Sequence, residues 1–163
     1  MTSAKDQHLT NVAEIRKEIQ DILDGMENVL DWRPDADSWT AREVITHVLY
    51  TPPGGVPQIL RGIMDGEVEE YDLWADQKYM TSEAESWTLD EVRRQFNSYF
   101  DALESGLAPL TDEVLETSTA LVHQRNRLWD EPRTAQWLVE RLFAGHWREH
   151  LVQLRELKAE ASG

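Results

Sequence analysis

Cysteine is absent from the chain. That excludes disulfides as a source of stability and leaves no protein thiolate to act as nucleophile or metal ligand. Any transition-metal site must draw on His, Asp, Glu and water. Positive charge is scarce as well: 16 Lys and Arg stand against 31 Asp and Glu, a formal net charge of −15. Nucleic acid and anionic membrane are polyanions, so a surface this acidic disfavours both as partners. No apolar run reaches the roughly 18 residues that a membrane span needs, and Met1-Thr2-Ser3-Ala4-Lys5-Asp6-Gln7-His8 lacks an apolar core of signal-peptide type. The expectation is a cytoplasmic protein. Its 163 residues suit one domain, 1–163, with a real hydrophobic core.

What is present is mostly helical periodicity. Val12, Ile15, Ile19, Ile22, Met26 and Val29 recur in steps of three and four, which predicts an amphipathic helix over Thr10–Leu30. Pro34 and the aspartates of Asp31–Asp37 then form a turn. Thr40-Ala41-Arg42-Glu43 has the form of a capping box and opens a second helix whose buried face carries Val44, Ile45, Val48 and Leu49. Thr51-Pro52-Pro53-Gly54-Gly55 interrupts it, and helix resumes over Val56–Met64. From Asp65 to Glu91 the chain holds ten acidic residues and one base, Lys78. This reads as a long connection, either functional or a solvated acidic loop pinned by Tyr71, Trp74, Tyr79 and Trp87. Ser86-Trp87-Thr88 repeats the Ser38-Trp39-Thr40 cap chemistry ahead of a third helix with Val92, Phe96, Tyr99, Phe100, Leu103 and Leu107 on its seam. Thr111–Glu116 forms a short helical turn, and Thr117–Asp130 leans mildly to extended structure. Glu131–Thr134 punctuates the chain before a fourth helix over Ala135–Ala159. The expected fold class is all-α, a four-helix bundle whose long connection lies between helices two and three.

Within the fourth helix, His146 and His150 are four residues apart. That spacing leaves them about 40° apart around the axis and one turn apart along it, so both imidazoles can reach one point beside the helix. Leu138, Val139, Leu142, Phe143, Leu154 and Leu157 place the pair on the stripe expected to face the core. His47 lies on the buried face of helix two. A catalytic zinc- or nickel-type site needs about three protein ligands and keeps one position open, and His47, His146 and His150 supply that number. The plainer reading makes each a core histidine hydrogen-bonded to a polar neighbour. His8 is expected to be exposed in a frayed terminus, and His123 to lie away from the site. Glu149 is either a base beside the pair or a surface carboxylate. His146-Trp147-Arg148-Glu149-His150 also matches the H-x-x-E-H order of inverzincin proteases, but those draw a third ligand from well downstream and thirteen residues follow His150.

Three stretches together resemble the DinB-like superfamily, also called YfiT-type, of metal-binding four-helix bundles. They are Asp31-Trp32-Arg33-Pro34 leading through Ser38-Trp39-Thr40 to Glu43–Val48, then Ile59–Glu67, and finally Thr134 through His146 and His150 to Gln153-Leu154. The resemblance implies a divalent metal, usually zinc or nickel, on His47, His146 and His150. It also implies metal-dependent hydrolase or thiol S-transferase activity on a small-molecule substrate. In relatives a low-molecular-weight thiol such as bacillithiol or mycothiol binds the metal and attacks an electrophile, which suits a chain with no cysteine of its own. Pro52–Gly55 departs from the family pattern, in which the second helix runs on past its histidine. Bundles of this type commonly pair through helix faces, so a homodimer is a further expectation. Three functions follow: a metal-dependent transferase or hydrolase, with no catalytic acid or base identifiable; a non-catalytic, stress-related metal- or ligand-binding bundle; and a structural module whose acidic face meets a basic partner.

Overall fold

Ser3 begins the first helix by accepting a hydrogen bond from the Asp6 backbone N–H, and α1 spans Ala4–Leu23. The computed structural model describes residues 2–163. Periodicity predicted this helix from Thr10 to Leu30. It starts earlier because Ser3 caps it, and it stops earlier because the chain turns at Asp24 and Gly25, the latter at φ +82°. Met26 and Leu30 stay in the core although they lie beyond the helix. The seam therefore reports burial correctly where it overstates helix length.

The capping box at Thr40 is complete. Its hydroxyl accepts from Glu43 N, and the Glu43 carboxylate accepts from Thr40 N at 2.9 Å, starting α2 (Ala41–Tyr50). The second cap is only half of such a box. Thr88 accepts from Glu91 N to start α5 (Leu89–Leu107), but the Glu91 carboxylate turns to Arg94 and Gln95 instead. Between α2 and α3 (Val56–Met64) the backbone leaves helical geometry at Pro52, Pro53 and Gly54. Gly55 adopts φ +89°, and a Cβ there would sit 2.5 Å from the Leu49 carbonyl oxygen, so only glycine fits.

The chain is not purely α-helical. Four long helical stretches (α1, the kinked α2–α3 pair, α5, and the run from Ala135 to Ser162) are joined by a three-stranded sheet. Its strands are β1 (Glu70–Leu73), β2 (Thr119–Gln124) and β3 (Trp129–Thr134). β1 pairs parallel to β2, with Tyr71 opposite Val122, and β2 pairs antiparallel to β3, with His123 opposite Asp130. The alternation Ala120, Val122, Gln124 buries one face of β2, a weak signal in a strand this short. Pro132, expected to punctuate the chain, lies inside β3. It is tolerated there because β3 is an edge strand with a free side. The acidic connection thus contains a strand and a short helix, α4 (Ser82–Glu85), and is not a plain solvated loop. A short α6 (Asp112–Thr117), capped by Thr111, precedes β2.

The last helical run starts at Thr134, which caps α7 (Ala135–Trp137), passes through a π-helical segment, Leu138–Gly145, and continues as α8 (His146–Ser162). Phe143, Trp147 and Leu151 are buried at successive steps of four. Trp147, 1% exposed, takes the central core position and packs against Phe96, Tyr99, Phe100 and Phe143 at centroid distances of 4.7–5.6 Å. His146 and His150 are therefore displaced to the flank of the stripe they were expected to occupy. They face α2, which packs against α8.

Candidate metal centre

His47 is fully buried on α2, whereas His146 and His150 on α8 are partly buried. Their Nε2 atoms converge: His47 to His146 is 3.0 Å and His146 to His150 is 3.1 Å. One potential ligand atom from each lies within 4.8 Å of those of the other two. The rings meet edge to face, with centroids 4.6–4.9 Å apart.

The outer nitrogens explain why the inner ones are bare. His47 Nδ1–H donates to the Gln77 carbonyl at 2.5 Å, and His150 Nδ1–H donates to Gln153 Oε1 at 2.8 Å. With their single protons committed outward, both rings present lone pairs inward. His146 faces the two of them, and a proton on its own Nε2 can be given to only one. Its Nδ1 is buried without a well-formed hydrogen bond, although the Leu142 carbonyl lies nearby. A cation would accept all three lone pairs. Ligand bonds of 2.0–2.1 Å in a tetrahedron imply nitrogen separations of about 3.3 Å, close to those observed. The residues fit a divalent ion of zinc or nickel type.

Burial, reinforced by the neighbouring His150 and His47, lowers the His146 pKa to about 3 from its ordinary 6.5. His47 is also lowered, by burial first and by His150 after it, against an opposing hydrogen bond to Gln77. Both shifts favour neutral imidazole, the form that ligates metals.

Chain segment 75–80 closes the site over α2. Ala75 N–H is held by Asn126 Oδ1 at 2.6 Å, just beyond the β1–β2 pair. At the far side the Thr46 hydroxyl donates to the Lys78 carbonyl, and Lys78 Nζ pairs with Glu43 Oε2 at 2.6 Å. The acidic connection thereby delivers the carbonyl that orients His47. No side-chain pattern announced this, because the acceptor is backbone. Trp39 sits edge-on to His47 at 5.2 Å, one residue before the α2 cap. Gln153 was legible as a neighbour, three residues past His150 on the same face.

The other candidates lie elsewhere. His8 is 2% exposed and bonded to Gln136 Oε1 at 2.7 Å, so it is a core residue and not part of a frayed end. The cause is α1 reaching back to Ala4. His123 bridges the sheet, 2.6 Å from Asp130 and 3.2 Å from Glu70, and Asp130 raises its pKa. Glu149 is exposed and does not join the cluster.

Beside His150 opens a cleft of about 490 Å³ between the 34–39 turn, the start of the 75–80 segment and the outer half of α8. That is within the range of small-molecule sites. Among the described residues no helix is long and apolar enough to cross a membrane.

The chain belongs to the DinB superfamily, whose family model matches residues 11–154, a span that includes all three clustered histidines. No curated protein and no solved structure matches it significantly.

Proposed function

We propose that His47, His146 and His150 hold a divalent metal, zinc or nickel, and that the protein is a metal-dependent small-molecule enzyme of the thiol S-transferase or hydrolase kind, folded as one domain. One observation carries the reading: three inward-facing Nε2 atoms converge with a cleft open beside His150. A bound divalent ion would supply Lewis acidity, lowering the pKa of a thiol or water presented from the cleft. The chain's own residues do the rest. Gln77 and Gln153 fix the two outer imidazoles by taking their Nδ1 protons. Trp39 and the buried face of α2 keep water from the His47 side. The cleft admits the substrate along α8. No thiolate nucleophile comes from the protein, which has no cysteine.

The test is elemental analysis of protein purified without chelator, repeated on His47→Ala and His146→Ala. About one equivalent of metal in the parent and little in either variant is expected, with a rise in melting temperature on adding Zn²⁺ or Ni²⁺ to the stripped parent. A metal-free parent, or full loading in both variants, would sink the proposal. Stoichiometric metal with no metal-dependent turnover of any thiol–electrophile pair would move the reading to a non-catalytic metal-binding bundle.

A further inference from the structure

The charge around the cleft is sorted. On α8, Arg148 and Arg155 turn to α1, where they meet Glu14 at 3.2 Å and Glu18 at 2.9 Å, and Lys158 lies 3.5 Å from the Asp21 carbonyl on the same side. The opposite side of α8 presents Glu156 and Glu160 to the cleft, and the facing wall adds Asp37 and Asp76. Elsewhere some acids are paired, as Asp24 is with Arg93, Asp31 with Arg42 and Asp72 with Arg125. Among the described residues these four carboxylates have no ion-pair partner, and no Lys or Arg lines the cleft. Trp39, in the cleft wall, has a base against it. Lys78 lies over that ring at 5.6 Å and is held by Glu43, which also draws Arg33 to 3.8 Å.

The cleft is marked as a binding site independently of these acids, by the imidazole nitrogens that converge beside it and by Trp39 in its wall. A helix rises 1.5 Å per residue, so Glu156 and Glu160 stand about 9 and 15 Å along α8 from His150. A ligand with one end at the histidines thus runs its other end between two acidic walls, past an aromatic ring. Carboxylates and an aromatic face together recognise organic cations.

From this we infer that the cleft selects a positively charged small molecule, an organic ammonium or guanidinium, and rejects anionic ones. The cationic end sits among Asp37, Asp76, Glu156 and Glu160, and the reacting end lies at His150. The inference rests on the cleft being the substrate entrance to the histidine site, so the experiment has two arms. Nickel-loaded protein is titrated calorimetrically with cysteamine and with 3-mercaptopropionate, thiols of similar length and opposite charge. Chelator-treated protein is titrated with benzyltrimethylammonium and with benzenesulfonate.

The cationic member of each pair is expected to bind at least about tenfold more tightly, the effect of a few carboxylates at close range. A variant combining Asp37→Asn, Asp76→Asn, Glu156→Gln and Glu160→Gln is expected to lose that preference and keep its metal content. Glu27→Gln with Glu116→Gln, outside the cleft, is expected to keep both, which separates a local effect from the overall charge. Cation preference in the chelator-treated protein without any thiol binding to the nickel form would count against the metal reading and leave the charge selectivity standing. Equal or tighter binding of the anions, binding of neither cation, or a preference that survives in the fourfold variant overturns the inference.

Discussion

Gln77 and His47 are thirty residues apart in the chain, yet the Gln77 carbonyl takes the His47 Nδ1 proton at 2.5 Å. That bond fixes which nitrogen of the most deeply buried imidazole faces its partners. It also ties the acidic connection to the histidine cluster, because the carbonyl is held in place by its neighbours.

Thr46 is the nearest of those anchors. Its hydroxyl donates to the Lys78 carbonyl, so Thr46→Val leaves the packing volume almost unchanged and that carbonyl unpaired. A loss of about 1–3 kcal/mol in stability is expected, with faster amide exchange across residues 75–80. Metal affinity should fall with it, since His47 loses a firmly placed acceptor. Unchanged exchange in that segment would show that Thr46 does not anchor it.

Gln153 orients His150 through one hydrogen bond. Gln153→Leu removes the acceptor, and metal affinity should fall about 10- to 100-fold. Gln153→Glu keeps an acceptor at the same reach and should retain affinity close to the parent. Competition against a chromophoric chelator gives both values. Equal affinities for all three proteins would mean that the bond positions nothing.

Acid should destabilise the metal-free protein over a defined window. His146 binds its proton at about pH 3 in the folded state, against 6.5 ordinarily. Between those values the unfolded chain carries more protons at this position, so stability rises with pH across the window. The contribution of His146 is complete above about pH 6.5 and is lost as pH falls toward 3. His47 acts in the same direction. Melting temperatures of chelator-treated protein should therefore drop from pH 7 to pH 4 more steeply in the parent than in His146→Gln. Parallel curves would refute the assignment.

Two glycines with positive φ separate strain from collision. Gly25, at φ +82°, has nothing within 4 Å of an added Cβ, whereas Gly55, at φ +89°, would drive one against Leu49 O. Gly25→Ala should cost about 1 kcal/mol from backbone strain. Gly55→Ala should cost on the order of 3 kcal/mol, because the α2–α3 kink must move as well. Urea denaturation decides the order, and an equal loss in both would remove the argument that the kink is sterically fixed.

The helices and the three histidines could be read from the amino-acid sequence because both rest on local rules. Apolar steps of three and four, capping hydroxyls at Thr40 and Thr88, and an i,i+4 histidine pair are properties of neighbouring residues. The same locality explains the errors. The seam over Thr10–Leu30 marked burial and could not see that Gly25 ends the helix. The lean of Thr117–Asp130 to extended structure holds for β2, but β1 and the sheet as a whole escaped, because β1 and β2 lie far apart in the chain and pair only in the fold. Trp147 holds the core position between Phe143 and Leu151, and the histidines sit on the flank beside it. Tertiary structure alone brought His47 across to the α8 pair, set the Gln77 carbonyl on its outer nitrogen, and turned the acids of α8 toward a cleft and its bases toward α1. Each of these depends on contacts between residues remote in sequence, where geometry is decided by packing and not by neighbouring residue types.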